Sequence, residues 1–361
     1  MIYITYYDLY GLKANVGIRK KILGQIHAFE RVFEKVYYTC YMGKMMYLFE
    51  GKMQIEKEFA ITKSDCNEIL CAWLDKYKIK RMYIRYAFAD KWFINFLRYQ
   101  SERGIVSVVE IPTYPYDGEK LDNRVQIEDM YYRKEMHKYV KLIATNSNEA
   151  EIWGIRSVPM LNGIDINNYK LYEKKRKEEA LVLIGVGSLM FWLGYERVIQ
   201  GLANYYMEGG TYDIYFKIVG DGPEREYYHS LVKKYNLQSR VEFCGRLCGI
   251  DLDKQYEQSD IAVSSLGCYK KGVHDVTPIK GTEYCVWGIP FICGYHDLRF
   301  TGKEEFILNV TNDPQPIDIE QVLRFYFRIS SHVGYKKEMY EYAIKYLSWE
   351  TALKPVIEYL N

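Results

Sequence analysis

Residues 180–187 read ALVLIGVG, an apolar run with β-branched residues at every second position, ending in two glycines one residue apart. A strand half exposed to water alternates apolar and polar residues, so an uninterrupted run of this kind predicts a strand covered on both faces, as in a parallel sheet. The run extends through LVLIGVGSLMFWLG (181–194), the longest apolar stretch in the chain. It is too short to span a bilayer and carries glycines at turn-like spacing, so it reads as a buried strand entering a loop.

The same grammar continues on both sides. Val198, Ile199, Leu202 and Tyr206 mark one face of a helix, and DIYFKIVG (213–220) is a second strand. Gly220-Asp221-Gly222-Pro223 turns the chain into a helix marked by Tyr227, Leu231, Val232 and Tyr235. RVEFCG, DIAVSS and IPFICG supply three more short strands. Upstream, IYITYY at the start, VYYTCY near 37–42, KRMYIRY (80–86), IVSVVEI (105–111) and KLIATN (141–146) are strand candidates. Ile18, Ile22, Ile26 and Phe29 mark a helix between the first two. Ser64 caps a pattern reaching about Tyr77, and 90–103 reads as another helix. PMLNGIDI (159–166) is an exit loop, and the charged run KLYEKKRKEE (170–179) a solvated linker between two halves. Strands alternating with helices in both halves predict two α/β domains with parallel sheets, whose ligands sit beyond the carboxyl ends of the strands and in the cleft between the halves.

Composition narrows the function. The chain has 361 residues, 48% hydrophobic, enough for two domains, and a net charge of only +2 gives no general case for nucleic-acid binding. No secretory leader opens MIYITYYDLYG, and the 8 cysteines contain no C-x-x-C pair, so they read as reduced thiols of a cytoplasmic protein rather than zinc ligands. The dinucleotide fingerprint is missing, because Gly185-Val186-Gly187 is followed by Met190 where a third glycine belongs. No Walker loop, H-E-x-x-H or G-x-S-x-G is present.

What remains is HDVTPIKGTEY (274–284). Thr277 at an N-cap and Pro278 at the first helical position predict a helix that runs to Trp287 and stops at Gly288-Ile289-Pro290. Amides at a helix start bind phosphate, and Lys280 and Glu283 share a face of that helix. An anion beside Lys280, with hydroxyl-bearing groups at Glu283 and Asp275, describes a nucleotide sugar. An ordinary surface ion pair between Lys280 and Glu283 is the alternative.

PMLNGIDI (159–166), GVGSLMFWLGYERVIQGL (185–202), KIVGDGPEREYYHSLVKKYNL (217–237), VEFCGRL (241–247), SDIAVSSL (259–266), TPIKGTEYCVWGIPFIC (277–293) and YLSWE (346–350) together resemble GT-B glycosyltransferases of family 4, in the style of bacterial capsule and exopolysaccharide enzymes. The resemblance implies two facing Rossmann-like domains and retaining transfer from a nucleotide-diphosphate sugar, UDP favoured and GDP possible. The acceptor would be a hydroxyl of a glycan or lipid-linked acceptor. Asp275 and Glu283 reproduce the family's E-x7-E spacing, with aspartate in the first place. Glu283 would bind the ribose, Asp275 and the neighbouring His274 the donor sugar, and the amides of Thr277 and Ile279 the diphosphate. Arg246 would lie near the base or phosphates, with Gly187 and Ser188 in the donor loop. The loop from Leu12 to Arg19, with Gly17, would close over the phosphates. The family's basic pair after the first strand of the second domain falls on Ser188 and Leu193, so Lys280, Arg246, Arg19 or Lys270 and Lys271 would have to stabilise the leaving diphosphate.

On the acceptor side, Glu110 with Thr113, Tyr114 and Tyr116 either binds acceptor hydroxyls or forms a turn set by Pro112 and Pro115. YYRKEMHKYVK (131–141) either lies against the cytoplasmic membrane face or is a solvated helix. Expected domains are 1–163 for acceptor, 164–344 for donor, and a terminal helix, 345–361, crossing back to the first. Asp251-Leu252-Asp253 sits on a helix pattern, so no metal is expected. A non-catalytic nucleotide-sugar-binding partner is the rival reading, and a sugar-nucleotide epimerase a third.

Overall fold

The computed structural model describes residues 1–11, 16–112, 114, 123–166 and 180–361. The linker run 170–179, residues 12–15 of the N-terminal loop, Thr113 and Tyr116 lie outside the described residues. The chain divides into two compact units, one of Met1–Asp165 with Trp349–Asn361, the other of Ile166–Ser348. The breaks fall two residues after the expected first boundary and four after the second.

The first unit is built on a nine-stranded sheet. Its strands are β1 (Ile2–Ile4), β2 (Tyr37–Met42), β3 (Met45–Glu50), β4 (Met53–Phe59), β5 (Arg81–Arg85), β6 (Val106–Ile111), β7 (Leu142–Thr145), β8 (Glu151–Ile152) and β9 (Ile155–Pro159). They run in the order β4-β3-β2-β1-β5-β6-β7-β9-β8. β1 pairs in parallel with both β2 and β5, the point from which the chain builds outward in opposite directions. The β2–β3–β4 meander is antiparallel, and sequence reading passed over β3, β4, β8 and β9.

Period-two side chains sort the first unit's core into two layers. Ile2, Ile4, Met82 and Ile84 enter the cluster that contains Leu70, Trp73 and Leu74 of α2 (Lys63–Lys76, counting helices after α1, Val16–Glu30) and Phe96 and Leu97 of α3 (Lys91–Glu102). Tyr3 and Tyr83 enter the opposite cluster, with Ile22, Ile26 and Phe29 of α1 and Trp349, Leu353, Val356 and Leu360 of the terminal segment. α2 is capped by Thr62 in a capping box with Asp65, not by Ser64, because Thr62 is the residue whose hydroxyl reaches the third helical amide. The chain returns to the first unit through Trp349, whose amide donates to Ile164 O at 3.2 Å and whose indole lies where a Cβ on Gly24 would be 2.3 Å from Nε1.

α4 (Asn123–Tyr132) closes the helices of the first unit before the chain enters the second. That unit has a six-stranded sheet, parallel throughout: β10 (Leu181–Val186), β11 (Ile214–Val219), β12 (Val241–Gly245), β13 (Ile261–Val263), β14 (Phe291–Cys293) and β15 (Ile307–Asn309). The order β12-β11-β10-β13-β14-β15 reverses between β10 and β13, the doubly wound arrangement that places ligands at that switch point. Its helices are α5 (Glu196–Met207), α6 (Arg225–Lys234), α7 (Ile250–Glu257), α8 (Ile279–Trp287), α9 (Ile319–Ser331) and α10 (Tyr335–Tyr342). On α6 the fully buried ring is Tyr228, while Tyr227, expected on the inner face, is 44% exposed.

Candidate functional site

At the switch point three loops are locked together by backbone. Gly187 N donates to Val219 O at 2.9 Å and Gly220 N to Gly245 O at 2.7 Å. Leu189 N donates to Asp221 O, and Glu224 N to Leu189 O, both at 3.0 Å. From the other side, Leu266 N donates to Leu193 O at 2.8 Å and Gly267 N to Trp192 O at 3.1 Å. The approach is close enough that side chains are excluded. A Cβ on Gly220, whose φ is +137°, would lie 1.8 Å from Gly187 O.

Helix α8 enters this frame with Pro278 as its N-cap residue, not Thr277, and proline has no side-chain acceptor with which to cap the first amides. Its end is as the sequence predicts, with Gly288 left-handed after Trp287. The Pro278 carbonyl accepts from Arg299 Nη2 at 2.6 Å, and Arg299 Nε donates to Asp297 Oδ1 at 2.8 Å. Both side chains of that ion pair are buried. A buried pair with its hydrogen bonds satisfied fixes geometry more than it adds stability, and here it pins the residue from which the helix starts. Sequence reading missed both members, since nothing in the spacing of Asp297 and Arg299 points back to Pro278.

At the second residue of the helix, Lys280 lies against the end of β10. A Cβ on Gly187 would be 2.8 Å from the Lys280 ammonium nitrogen, so only glycine leaves that nitrogen its place. The side chain keeps some solvent exposure, yet burial of the charged end pushes its pKa down to about 8, with Glu283 and Cys268 pulling the other way. Among the described residues no carboxylate forms an ion pair with Lys280. Glu283 is half-buried on the same helix. The helix start and a desolvated ammonium beside it make a site for an anion with fixed positive groups on two sides.

Asp275 has a partner that the sequence did not suggest. Its Oδ1 lies 2.9 Å from His296 Nδ1, and the two residues form an isolated parallel bridge. Val276 N donates to His296 O at 3.0 Å and His296 N to His274 O at 2.8 Å. His274 Nδ1 lies 3.2 Å from Asn312 Nδ2, which also donates to Val273 O. The loop carrying His274 and Asp275 is thus tied at two places while both side chains stay exposed.

The positions expected to carry a basic pair do not. Ser188 is exposed, and Leu193 is 1% exposed within the apolar core. Arg197 is no substitute. Its guanidinium is buried and donates to Leu266 O at 2.8 Å, Thr311 O at 3.0 Å and Gln315 O at 2.6 Å, a clamp between the loop after β13 and the segment after β15. Lys270 is held by the buried Glu196, and Lys271 lies over the Trp192 ring at 3.9 Å. Arg246 is 80% exposed after β12, its Nε 3.9 Å from Asp221. Among the described residues no cluster of three or more His, Cys, Asp or Glu could hold a metal ion.

In the first unit, Gly17 and Arg19 are exposed in the first turns of α1, with Arg19 over the Tyr10 ring at 5.7 Å. Glu110 requires a correction. It is wholly buried on β6, with Arg85 Nη1 at 2.7 Å, Lys21 Nζ at 3.3 Å and Tyr3 Oη at 3.4 Å. Burial alone would raise its pKa, but Arg85 and Lys21 outweigh that and hold the carboxyl below its usual range. It is a counter-ion to two buried cations and cannot reach an acceptor hydroxyl. Tyr114, by contrast, is half-exposed and its hydroxyl donates to Glu149 at 3.1 Å. No helix among the described residues is long and apolar enough to cross a membrane.

Comparison with known proteins places this geometry. Residues 170–297 match the family model of glycosyl transferases group 1. No curated protein sequence matches the chain. Among solved structures it is similar to a glycosyltransferase from Rickettsia africae, with 13% identity, a TM-score of 0.65 and coverage of 99% of this chain and 96% of that one. It is also similar to HepE of Anabaena in complex with UDP, with 12% identity, a TM-score of 0.62 and coverage of 99% and 98%. A third is sucrose-phosphate synthase of Thermosynechococcus elongatus, with 13% identity, a TM-score of 0.60 and coverage of 99% and 97%. At such identity the likeness is one of fold, Rossmann-like α/β units like those of GT-B glycosyltransferases. The family match falls within the second unit and agrees with the enzyme class read from the sequence, a glycosyltransferase.

Proposed function

We propose that the chain transfers a sugar from a nucleotide-diphosphate donor, UDP-linked by preference, to a hydroxyl of a glycan or lipid-linked acceptor, with retention at the anomeric carbon. The observation that carries this is the Lys280 ammonium held against Gly187 beside the start of α8, at the switch point of a glycosyltransferase domain. HepE, one of the fold relatives, binds UDP, and the same nucleotide suits this site.

The diphosphate lies over the amides at Thr277 and Ile279, next to Lys280. Glu283, further along the same helix, accepts from the ribose hydroxyls. Asp275, steadied by His296, and His274 orient the donor sugar. As the glycosidic bond breaks, negative charge grows on the diphosphate, and Lys280 and the α8 amides stabilise it without having to reorganise. The acceptor hydroxyl attacks the same face that the diphosphate leaves, and the departing phosphate oxygen takes its proton. No second catalytic carboxylate is required, in contrast to retaining hydrolases. Fixed cations take the place of a divalent metal. Surface polysaccharide synthesis on the cytoplasmic face of the membrane is the setting in which such a reaction fits, with the basic segment 131–141 toward the lipid.

Titration calorimetry with UDP, GDP and their sugars tests the donor assignment. UDP binding that Lys280→Ala and Glu283→Ala both weaken is the expected result. No binding of any nucleotide diphosphate, or binding that neither variant changes, would remove the assignment. Turnover abolished by a chelator and restored by a divalent ion would overturn metal independence.

A further inference from the structure

Just beyond β15, the amide of Asn312 has its orientation fixed by two backbone groups that leave it no choice. Tyr269 N, which can only donate, gives its hydrogen to Asn312 Oδ1 at 2.8 Å. Val273 O, which can only accept, takes one hydrogen from Asn312 Nδ2 at 3.0 Å. Oxygen and nitrogen of the side chain are thereby told apart. The second hydrogen on Nδ2 faces His274 Nδ1 at 3.2 Å. An amide nitrogen has no lone pair to offer, so the hydrogen in that contact is Asn312's and His274 Nδ1 accepts it. The ring proton of a neutral His274 then sits on Nε2.

His296 is used the other way round. Its Nδ1 lies 2.9 Å from Asp275 Oδ1, and a carboxylate only accepts, so here Nδ1 is the protonated nitrogen. Backbone joins the two histidines, since His296 N donates to His274 O at 2.8 Å. One short loop therefore carries a neutral imidazole with an N–H to give and, at the next residue, a carboxylate that only accepts.

We infer that Asn312 is a positioning residue: it fixes His274 as the Nε2–H tautomer, so that the loop offers a ligand one donor from His274 beside one acceptor from Asp275. That the ligand is the donor sugar rests on the proposed function, whereas the tautomer does not. A hydroxyl both donates and accepts, so the hydroxyls of a sugar ring satisfy the two groups together. With the proton on Nδ1 instead, the loop would present two acceptors, and His274 would have its N–H turned against the Asn312 amide hydrogens.

Long-range proton–nitrogen NMR spectra of the unliganded full chain, with His274 assigned by its loss in His274→Gln, read the tautomer directly. The expected pattern at about pH 8.5, above the ordinary histidine range, is a bare Nδ1 and a protonated Nε2. Asn312→Asp should put a proton on Nδ1, because the new carboxylate accepts where the amide donated. Calorimetry with UDP beside UDP-glucose and UDP-galactose then gives the affinity that the sugar adds. Asn312→Asp should cut that increment about tenfold for the sugar that binds better, the loss of roughly one hydrogen bond, with the affinity of UDP itself unchanged. In the His274→Gln background, whose amide donates from the place of Nε2 and has no tautomer to set, Asn312→Asp should lower the increment no further. A protonated Nδ1 on His274 in the wild type overturns the inference whatever UDP does, and that spectrum decides even where Asn312→Asp does not fold. An equal loss in both backgrounds also overturns it, in favour of a purely structural role for Asn312. If the tautomer is as expected but no nucleotide sugar binds, the proposed function falls and takes the sugar with it, while the hold of Asn312 on His274 stands.

Discussion

The two units solve the same topological problem with opposite materials. Each has a sheet whose parallel strands reverse their order at one pair, β1 and β5 in the first, β10 and β13 in the second. After β10 the chain places Gly187, and after β11 Gly220, with backbone packed so tightly that side chains are excluded there and the Lys280 ammonium lies against Gly187. After β1 and β5 it places Tyr6 and Phe88, and the same location becomes a cavity walled by rings. Glycine next to strand ends lets backbone amides and a cation crowd together, whereas aromatic residues there hold the chain apart and leave a cavity. The scaffold chooses the place, and the residues just beyond the strands choose the chemistry.

The largest test of that separation is Trp349→Ala. Trp349 is 1% exposed and packs on α1, so its loss should destabilise the first unit by about 3–5 kcal/mol, while UDP affinity at the second stays the same. A melt monitored with and without UDP checks this. A fall in nucleotide affinity as large as the fall in stability would show that the units do not act separately.

Next is Lys280→Ala, expected to lower kcat about 100-fold or more and donor affinity by less, since only stabilisation that grows toward the transition state speeds the chemical step. Steady-state kinetics with a screened donor and acceptor decide it. An unchanged kcat would mean that the glycine-rich strand ends do not hold the diphosphate.

Glu283→Ala should weaken UDP by about 1–3 kcal/mol, with the melting of the first unit unchanged. The Lys280 charge sets the pH profile of the same measurement. With its pKa near 8 the ammonium is present below that value, so UDP affinity should be level near pH 7 and fall as pH rises through about 8. The unliganded fold responds with the opposite sign. The folded pKa lies below that of a free lysine, so the unfolded chain binds the extra proton and stability rises from pH 8 toward the ordinary lysine range. The smallest effect belongs to Arg246→Ala. With its side chain 80% exposed, UDP should weaken by at most about 1 kcal/mol, and a larger loss would move the phosphate contact toward β12.

The parallel frame of both units was legible because buried strands such as LVLIGV and helix faces such as Ile22, Ile26 and Phe29 carry their periodicity in consecutive residues. The meander was missed although its turn was written plainly. Gly43 and Lys44 both have positive φ, the two-residue hairpin turn that Gly-Lys between apolar runs permits. The hairpin of β8 and β9 was harder, since it sets Trp153 at φ +52° before Gly154, a place where tryptophan gives no signal. In the candidate site, Lys280, Glu283 and Asp275 stood out because they share one short segment. Asp297 and Arg299, which hold Pro278, and His296, which holds Asp275, were silent, because their roles come from contacts made about twenty residues along the chain. Glu110 misled for a related reason. The end of a strand looks like an exposed position until Lys21 and Arg85, from two other elements, are folded around it.

The position of Trp349 bears on synthesis as well as stability. The first unit is the first to be translated, yet Trp349, Leu353, Val356 and Leu360 of its core emerge only after the whole second unit has been made. Throughout that interval the side of α1 at Gly24, against which the Trp349 indole packs, lacks its cover. A nascent chain paused anywhere in the second unit therefore presents an apolar groove to chaperones and to its neighbours on the polysome. The last step of folding is the closing of the part that was begun first.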